Sequence, residues 1–102
     1  MALAVGIDLG TSNSVVSAVI DGRVQVLADQ DGNRVQPSVV AFDGSRVTVG
    51  HRAQALRDRN PEHAVFSVKR LIGRRFRSPE IERIRRSVPW GIASGPLGDA
   101  RV

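Results

Sequence analysis

A tight glycine turn between two apolar runs constrains this chain more than any other stretch. Residues 3–9 are apolar apart from Gly6 and one acid, Asp8; Gly10-Thr11-Ser12-Asn13-Ser14 follows, and a second apolar run covers residues 15–20. That order describes two strands joined by a turn whose backbone N–H groups no side chain covers, a natural cradle for phosphate oxygens. Gly10 can adopt φ > 0 and lets a phosphate approach the main chain. Thr11 and Ser12 supply hydroxyls that donate to phosphate oxygens or accept from water around a cation. Asp8 ends a strand expected to be buried, where a lone carboxylate is costly unless it is hydrogen-bonded or faces a cation. Magnesium suits it, since that ion keeps its waters and uses few carboxylates. An ordinary β-hairpin, with Asp8 capping its turn, accounts for the same residues. Pattern alone leaves the two readings level.

The chain has 102 residues, enough for one small domain that buries roughly two-thirds of its unfolded surface. No apolar stretch approaches the ~20 residues needed to span a bilayer. No secretory signal is expected from the N-terminus, and the absence of cysteine excludes disulfide and thiolate chemistry and fits a cytoplasmic protein. His51 and His63 stand apart in sequence and read as solvated surface residues rather than metal ligands.

The net charge of +5 raises a nucleic-acid alternative. Arg70, Arg74, Arg75 and Arg77 form one cluster, and Arg83, Arg85 and Arg86 another. Only Phe76 interleaves them, Glu80 and Glu82 dilute the second, and no helix-turn-helix, zinc or RNA-stacking motif is present. A solvated basic face, or a surface buried by missing sequence, is the preferred reading.

Residues 4–9, 14–20 and 23–27 read as strands, with Asp21-Gly22 as a hairpin turn between the last two. A polar loop with a second Asp-Gly turn covers residues 29–34, and residues 38–42 and 46–49 form another hairpin. The pattern is helical from His51 until Asn60-Pro61, and residues 68–73 allow about one helical turn. Ser78-Pro79 starts a second helix, serine as N-cap, with Ile81 and Ile84 on one face. From Gly91 the chain is glycine-rich and expected to be weakly structured. Strands first and short helices later give a mixed α/β unit.

Lys69 is the single lysine among 14 arginines. A compact ammonium approaches a point of charge as a guanidinium does not. It could reach the terminal phosphate of a nucleotide or orient an attacking water, the kind of electrostatic positioning that dominates phosphoryl transfer. A merely solvated lysine fits the composition as well.

Three segments resemble one family. Gly6-Ile7-Asp8-Leu9-Gly10-Thr11-Ser12-Asn13-Ser14 is similar to the first phosphate-binding motif of the heat-shock protein 70 chaperones of the DnaK type. Asn33-Arg34-Val35-Gln36-Pro37-Ser38-Val39-Val40-Ala41-Phe42 resembles the next block of that family. Phe66-Ser67-Val68-Lys69-Arg70-Leu71-Ile72-Gly73-Arg74-Arg75-Phe76 resembles its catalytic-lysine segment almost residue for residue. The ending, Pro89-Trp90 and then Gly98-Asp99-Ala100-Arg101-Val102, follows it more loosely.

The resemblance implies the first-lobe portion of an actin-like, ribonuclease H-like ATPase fold, truncated. Gly10, Thr11, Ser12 and Asn13 would contact the phosphates of ATP or ADP, Asp8 would support hydrated magnesium, and Lys69, with Thr11 and Asp8, would assist hydrolysis. Ser12 stands where the family commonly has threonine, and keeps the hydroxyl. The implied function is an ATP-binding segment of a protein-folding chaperone. Its implied partners are unfolded or nascent polypeptides, a J-domain co-chaperone and a nucleotide exchange factor, the loop at residues 29–34 lying near the exchange-factor surface. Another actin-fold ATPase or a sugar kinase shares the Asp-x-Gly-Thr turn, but residues 66–76 look specific to the chaperones. The second phosphate loop, adenosine-binding segment, further carboxylates and peptide-binding domain of the family have no counterpart in the sequence. The expectation is therefore residues 1–102 as the N-terminal part of an incomplete ATPase domain, with half an ATP site.

Overall fold

The computed structural model describes residues 4–102; Leu3, the first residue of the leading apolar run, lies outside them. Strands β1 (Val5–Leu9), β2 (Asn13–Ile20) and β3 (Arg23–Val26) form an antiparallel meander. The β2–β3 turn uses Asp21 and Gly22, both at positive φ (52° and 78°), the backbone twist that a two-residue hairpin requires. A short β4 (Gln36–Pro37) pairs with the start of β2, Asn13 opposite Pro37 and Ser14 opposite Gln36.

The chain then crosses into a second antiparallel sheet of order β6–β5–β7, built from β5 (Val39–Asp43), β6 (Arg46–Val49) and β7 (Ala64–Phe66). Helix α1 (His51–Arg59) covers one face of it. Val39, Ala41, Ala53 and Ala64 are buried there, small residues that let the helix lie close to the strands. The other face carries Val65, which packs with Leu71, Ile81 and Trp90 in a second core. Ile81 belongs to α2 (Pro79–Ser87), and Ser78 caps that helix by accepting from the Ile81 N–H at 3.4 Å. Phe66 touches both cores and meets Trp90 edge-to-face at 6.1 Å.

Two expectations fail here. The stretch from Gly91 is ordered: β8 (Ala93–Ser94) pairs with β9 (Ala100–Arg101). That hairpin is tied down by the Phe76 N–H on the Gly98 carbonyl (2.9 Å) and the Ala100 N–H on the Arg74 carbonyl (3.0 Å). Glycine richness misled because these bonds come from a segment some twenty residues away. Nor is β1 buried. All five of its residues are exposed, with Ile7 at 67% and Leu9 at 63%, because β1 is an edge strand and the first sheet shows apolar side chains on both faces. The radius of gyration, 16.2 Å, accordingly exceeds the roughly 13 Å of a close-packed chain of this length.

Asp29 organises the loop between β3 and β4. Its carboxylate accepts from the N–H groups of Asp31 and Asn33 (2.9 Å each) and from Gln36 Nε2 (2.6 Å). The other end of the Gln36 amide accepts from the His51 N–H at 3.3 Å, the first amide of α1. His51, exposed as expected, also donates from Nε2 to the Val35 carbonyl (2.8 Å) and so fastens α1 to this loop. These donors, the Asn33 amide foremost and Gln36 next, hold the Asp29 carboxyl at about 2, below its ordinary 3.8. A depressed carboxylate stabilises the folded form fully above its unfolded pKa and loses that contribution as pH falls through the folded value. Carbon-13 titration of Asp29 should therefore give a midpoint near 2, with the loop keeping its order down to pH values below 3.8. A midpoint at 3.8 or above would remove this network from the account.

Candidate functional site

The turn between β1 and β2 closes on itself. The Gly10 N–H donates to the Asn13 carbonyl at 2.9 Å. A Cβ at residue 10 would run into that carbonyl oxygen, so only glycine fits. This corrects the expected reason for Gly10: its φ is not positive, and close approach of backbone to backbone is what excludes a side chain.

Three carbonyls of the turn are fixed from outside it. Ser38, just after β4, donates its N–H to the Ser12 carbonyl (2.8 Å) and its hydroxyl to the Gly10 carbonyl (2.8 Å). Because that proton is spent on Gly10, the 2.8 Å contact between Ser14 Oγ and Ser38 Oγ has Ser14 as donor. Lys69 Nζ donates to the Leu9 carbonyl at 2.9 Å. In a trans peptide the C=O and the following N–H point in opposite directions. Drawing the Gly10 carbonyl toward Ser38 therefore turns the Thr11 N–H away from Ser38. The amides of Thr11 and Ser12 make no hydrogen bond among the described residues.

Thr11 borders two open cavities. One, of about 450 Å³, is also lined by Ser12, Asn13, Ser38 and Arg57. The other is a larger groove lined by Leu9, Gly10, Thr11 and Lys69. Four of the sequence-derived candidates, Gly10, Thr11, Ser12 and Asn13, thus form one turn, and the Lys69 ammonium reaches the carbonyl at its entrance. Asp8 lies two residues before Gly10, opposite Val15 in the ladder. It is exposed rather than buried, and its carboxylate makes no hydrogen bond or ion pair among the described residues. No cluster of three or more potential metal-ligating side chains occurs among those residues.

Lys69 arrives through a local device. β7 ends at Phe66, Ser67 takes the left-handed conformation (φ 58°), and the 3-10 turn Val68–Arg70 follows at once. Arg57 stacks over the Phe66 ring at 3.5 Å, bracing the same corner. Sequence reasoning missed Ser38 and Ser67. Ser38 stood inside a quoted segment, but its partners lie 24 and 28 residues away. Ser67 is a non-glycine residue at positive φ, which composition does not announce.

Among the described residues no helix is long and apolar enough to cross a membrane. The family described as "Hsp70 protein" matches residues 4–102. The chaperone protein DnaK of Thermus thermophilus is 46% identical over all 102 residues, and those of Deinococcus proteolyticus and Deinococcus radiodurans are 44% and 43% identical over the same length. The chain spans 16% of the length of each of these relatives. A match across almost every residue, including the turn at Gly10 and the segment around Lys69, places the chain in the Hsp70 family.

Proposed function

We propose that this chain is the N-terminal part of the ATPase domain of an ATP-dependent protein-folding chaperone, in the first lobe of an actin-like fold. The observation that carries it is the 2.9 Å contact between Lys69 Nζ and the Leu9 carbonyl, which brings residues 60 apart to one turn. In this reading Gly10, Thr11, Ser12 and Asn13 hold the phosphates of ATP or ADP. Lys69, on exchanging its carbonyl partner for a phosphate oxygen or the attacking water, assists hydrolysis together with Thr11 and Asp8. Asp8 suits magnesium through water: a single exposed carboxylate without neighbouring ligands fits an ion that keeps its hydration shell. Bound there, the ion would neutralise developing charge on the phosphates. Unfolded or nascent polypeptides, a J-domain co-chaperone, a nucleotide exchange factor and a cytoplasmic setting belong to the same proposal for the whole protein.

The 102 residues on their own should bind ATP weakly. A few net hydrogen bonds of ~1 kcal/mol and one charged contact of ~1.5–3 kcal/mol amount to roughly 5 kcal/mol, a Kd from about 0.2 mM to about a millimolar. Amide chemical shifts followed during ATP titration should move at Thr11 and Ser12, less so in Lys69→Ala, with negligible turnover. Shifts confined to other parts of the chain would overturn the assignment of the site. Fast hydrolysis by the 102 residues that Lys69→Ala abolishes would instead keep the site and overturn the expectation that half of it is inactive.

A further inference from the structure

We propose that the arginine-rich face built on residues 70–86 docks an acidic polypeptide segment. These 17 residues hold seven arginines and two glutamates, which is the chain's entire net charge of +5; the other eight basic residues are matched by eight acidic ones. The net charge is thus carried by one segment, the loop before α2 and α2 itself, which the Arg74–Glu80 pair and the Arg85–Phe76 stack hold together. It stands on an ordered frame, since the loop before α2 is tied to the β8–β9 hairpin at Arg74 and Phe76. Arg86 is 80% exposed, and Arg70, Arg77 and Arg83 are exposed and make no ion pair among the described residues.

The chemistry of the face favours carboxylates. Glu82 already lies between Arg85 (3.4 Å) and Arg86 (3.7 Å), and Glu80 meets Arg74 at 3.7 Å. The guanidinium fork matches the planar carboxylate, and these long, half-exposed pairs leave donors over for further acids. Nucleic acid fits less well. Its bases find no stacking platform, because Phe76 is half-buried with the Arg85 guanidinium 5.0 Å from its ring and Trp90 is 4% exposed. Helix α2 has nine residues, about 13 Å of length, which four or so extended residues of a partner would cover, at roughly 3.3 Å each.

The test is fluorescence anisotropy of a labelled oligoglutamate peptide with the 102-residue protein. Arg83→Glu combined with Arg86→Glu should weaken binding about tenfold or more, and raising salt from about 50 to about 300 mM should weaken it steeply. Arg23→Glu combined with Arg46→Glu changes net charge equally at exposed positions outside the face and should leave affinity within about twofold. The milder Arg83→Gln with Arg86→Gln should fall between, and unchanged Trp90 emission and circular dichroism verify the fold of every variant. Equal losses in the two charge-reversal pairs overturn the proposal. So does tighter binding of duplex DNA or of anionic lipid vesicles than of oligoglutamate. Neither outcome touches the nucleotide assignment, because no residue varied lies at the Gly10 turn.

Discussion

Gly10→Ala should abolish the proposed ATP binding of this chain while the two cores persist. The added methyl would be driven into the Asn13 carbonyl oxygen, a backbone atom that cannot swing aside as a side-chain tip would. Relieving such an overlap costs about 1–3 kcal/mol, and here the only route is to open the turn. Opening it breaks the 2.9 Å bond from Gly10 to Asn13 and pulls the Gly10 carbonyl off Ser38. The Thr11 N–H then loses the direction that Ser38 imposes. Losing two amide contacts of ~1 kcal/mol each weakens binding at least about tenfold, enough to put a millimolar site out of reach. Gly22→Asn is the control: Gly22 has positive φ, which asparagine tolerates, and nothing lies within 4 Å of its missing Cβ. Gly22→Asn should titrate with ATP as the parent does. If Gly10→Ala also titrates like the parent, the turn does not hold the phosphates.

What the sequence made legible is what local chemistry determines. Asp21-Gly22 set a hairpin, Ser78-Pro79 set the start of α2, and Asn60-Pro61 ended α1, all within two residues of where they were read. The strands β4 and β7 escaped because each is only two or three residues long and exists through its partners in β2 and β5. The site divided in the same way. The turn residues and Lys69 stood out by type and by resemblance, whereas Ser38 and Ser67, which aim them, act through long-range bonds or an unusual φ. Asp8 was expected in a buried strand because the apolar run around it reads as core: Val5, Ile7 and Leu9 alternate with Gly6 and Asp8 and put three apolar side chains on one face of β1. Whether anything covers them is not written in the alternation.

Ile81→Ala should lower the melting temperature by roughly 8–40 °C, the largest loss of any single substitution considered. Among the described residues Ile81 is the largest side chain that is fully buried, at 0% exposure. Truncation removes its burial and leaves a cavity, about 2–5 kcal/mol in comparable cores. At about 4–8 °C per kcal/mol for a chain of this size, the shift follows. The whole chain has only about 5–15 kcal/mol to lose, so a population with the second core melted is expected even before the midpoint. The damage should travel to the site. Val65 in β7 packs against Ile81, and β7 leads through Ser67 directly into the turn that delivers Lys69 to the Leu9 carbonyl. Loosening that core frees the lysine from its register, so the Lys69 contact should weaken in Ile81→Ala although no atom of the site has changed. Ile72→Ala separates this from a generic effect of shortening an isoleucine nearby: Ile72 is 71% exposed and should stay within about 0.5 kcal/mol of the parent. Trp90 emission reads core order, and hydrogen exchange in residues 64–70 reads the link to Lys69. Equal melting temperatures for Ile81→Ala and Ile72→Ala would show that the second core does not hold the chain together. A lowered temperature with unchanged exchange at residues 64–70 would show that the site is positioned without it.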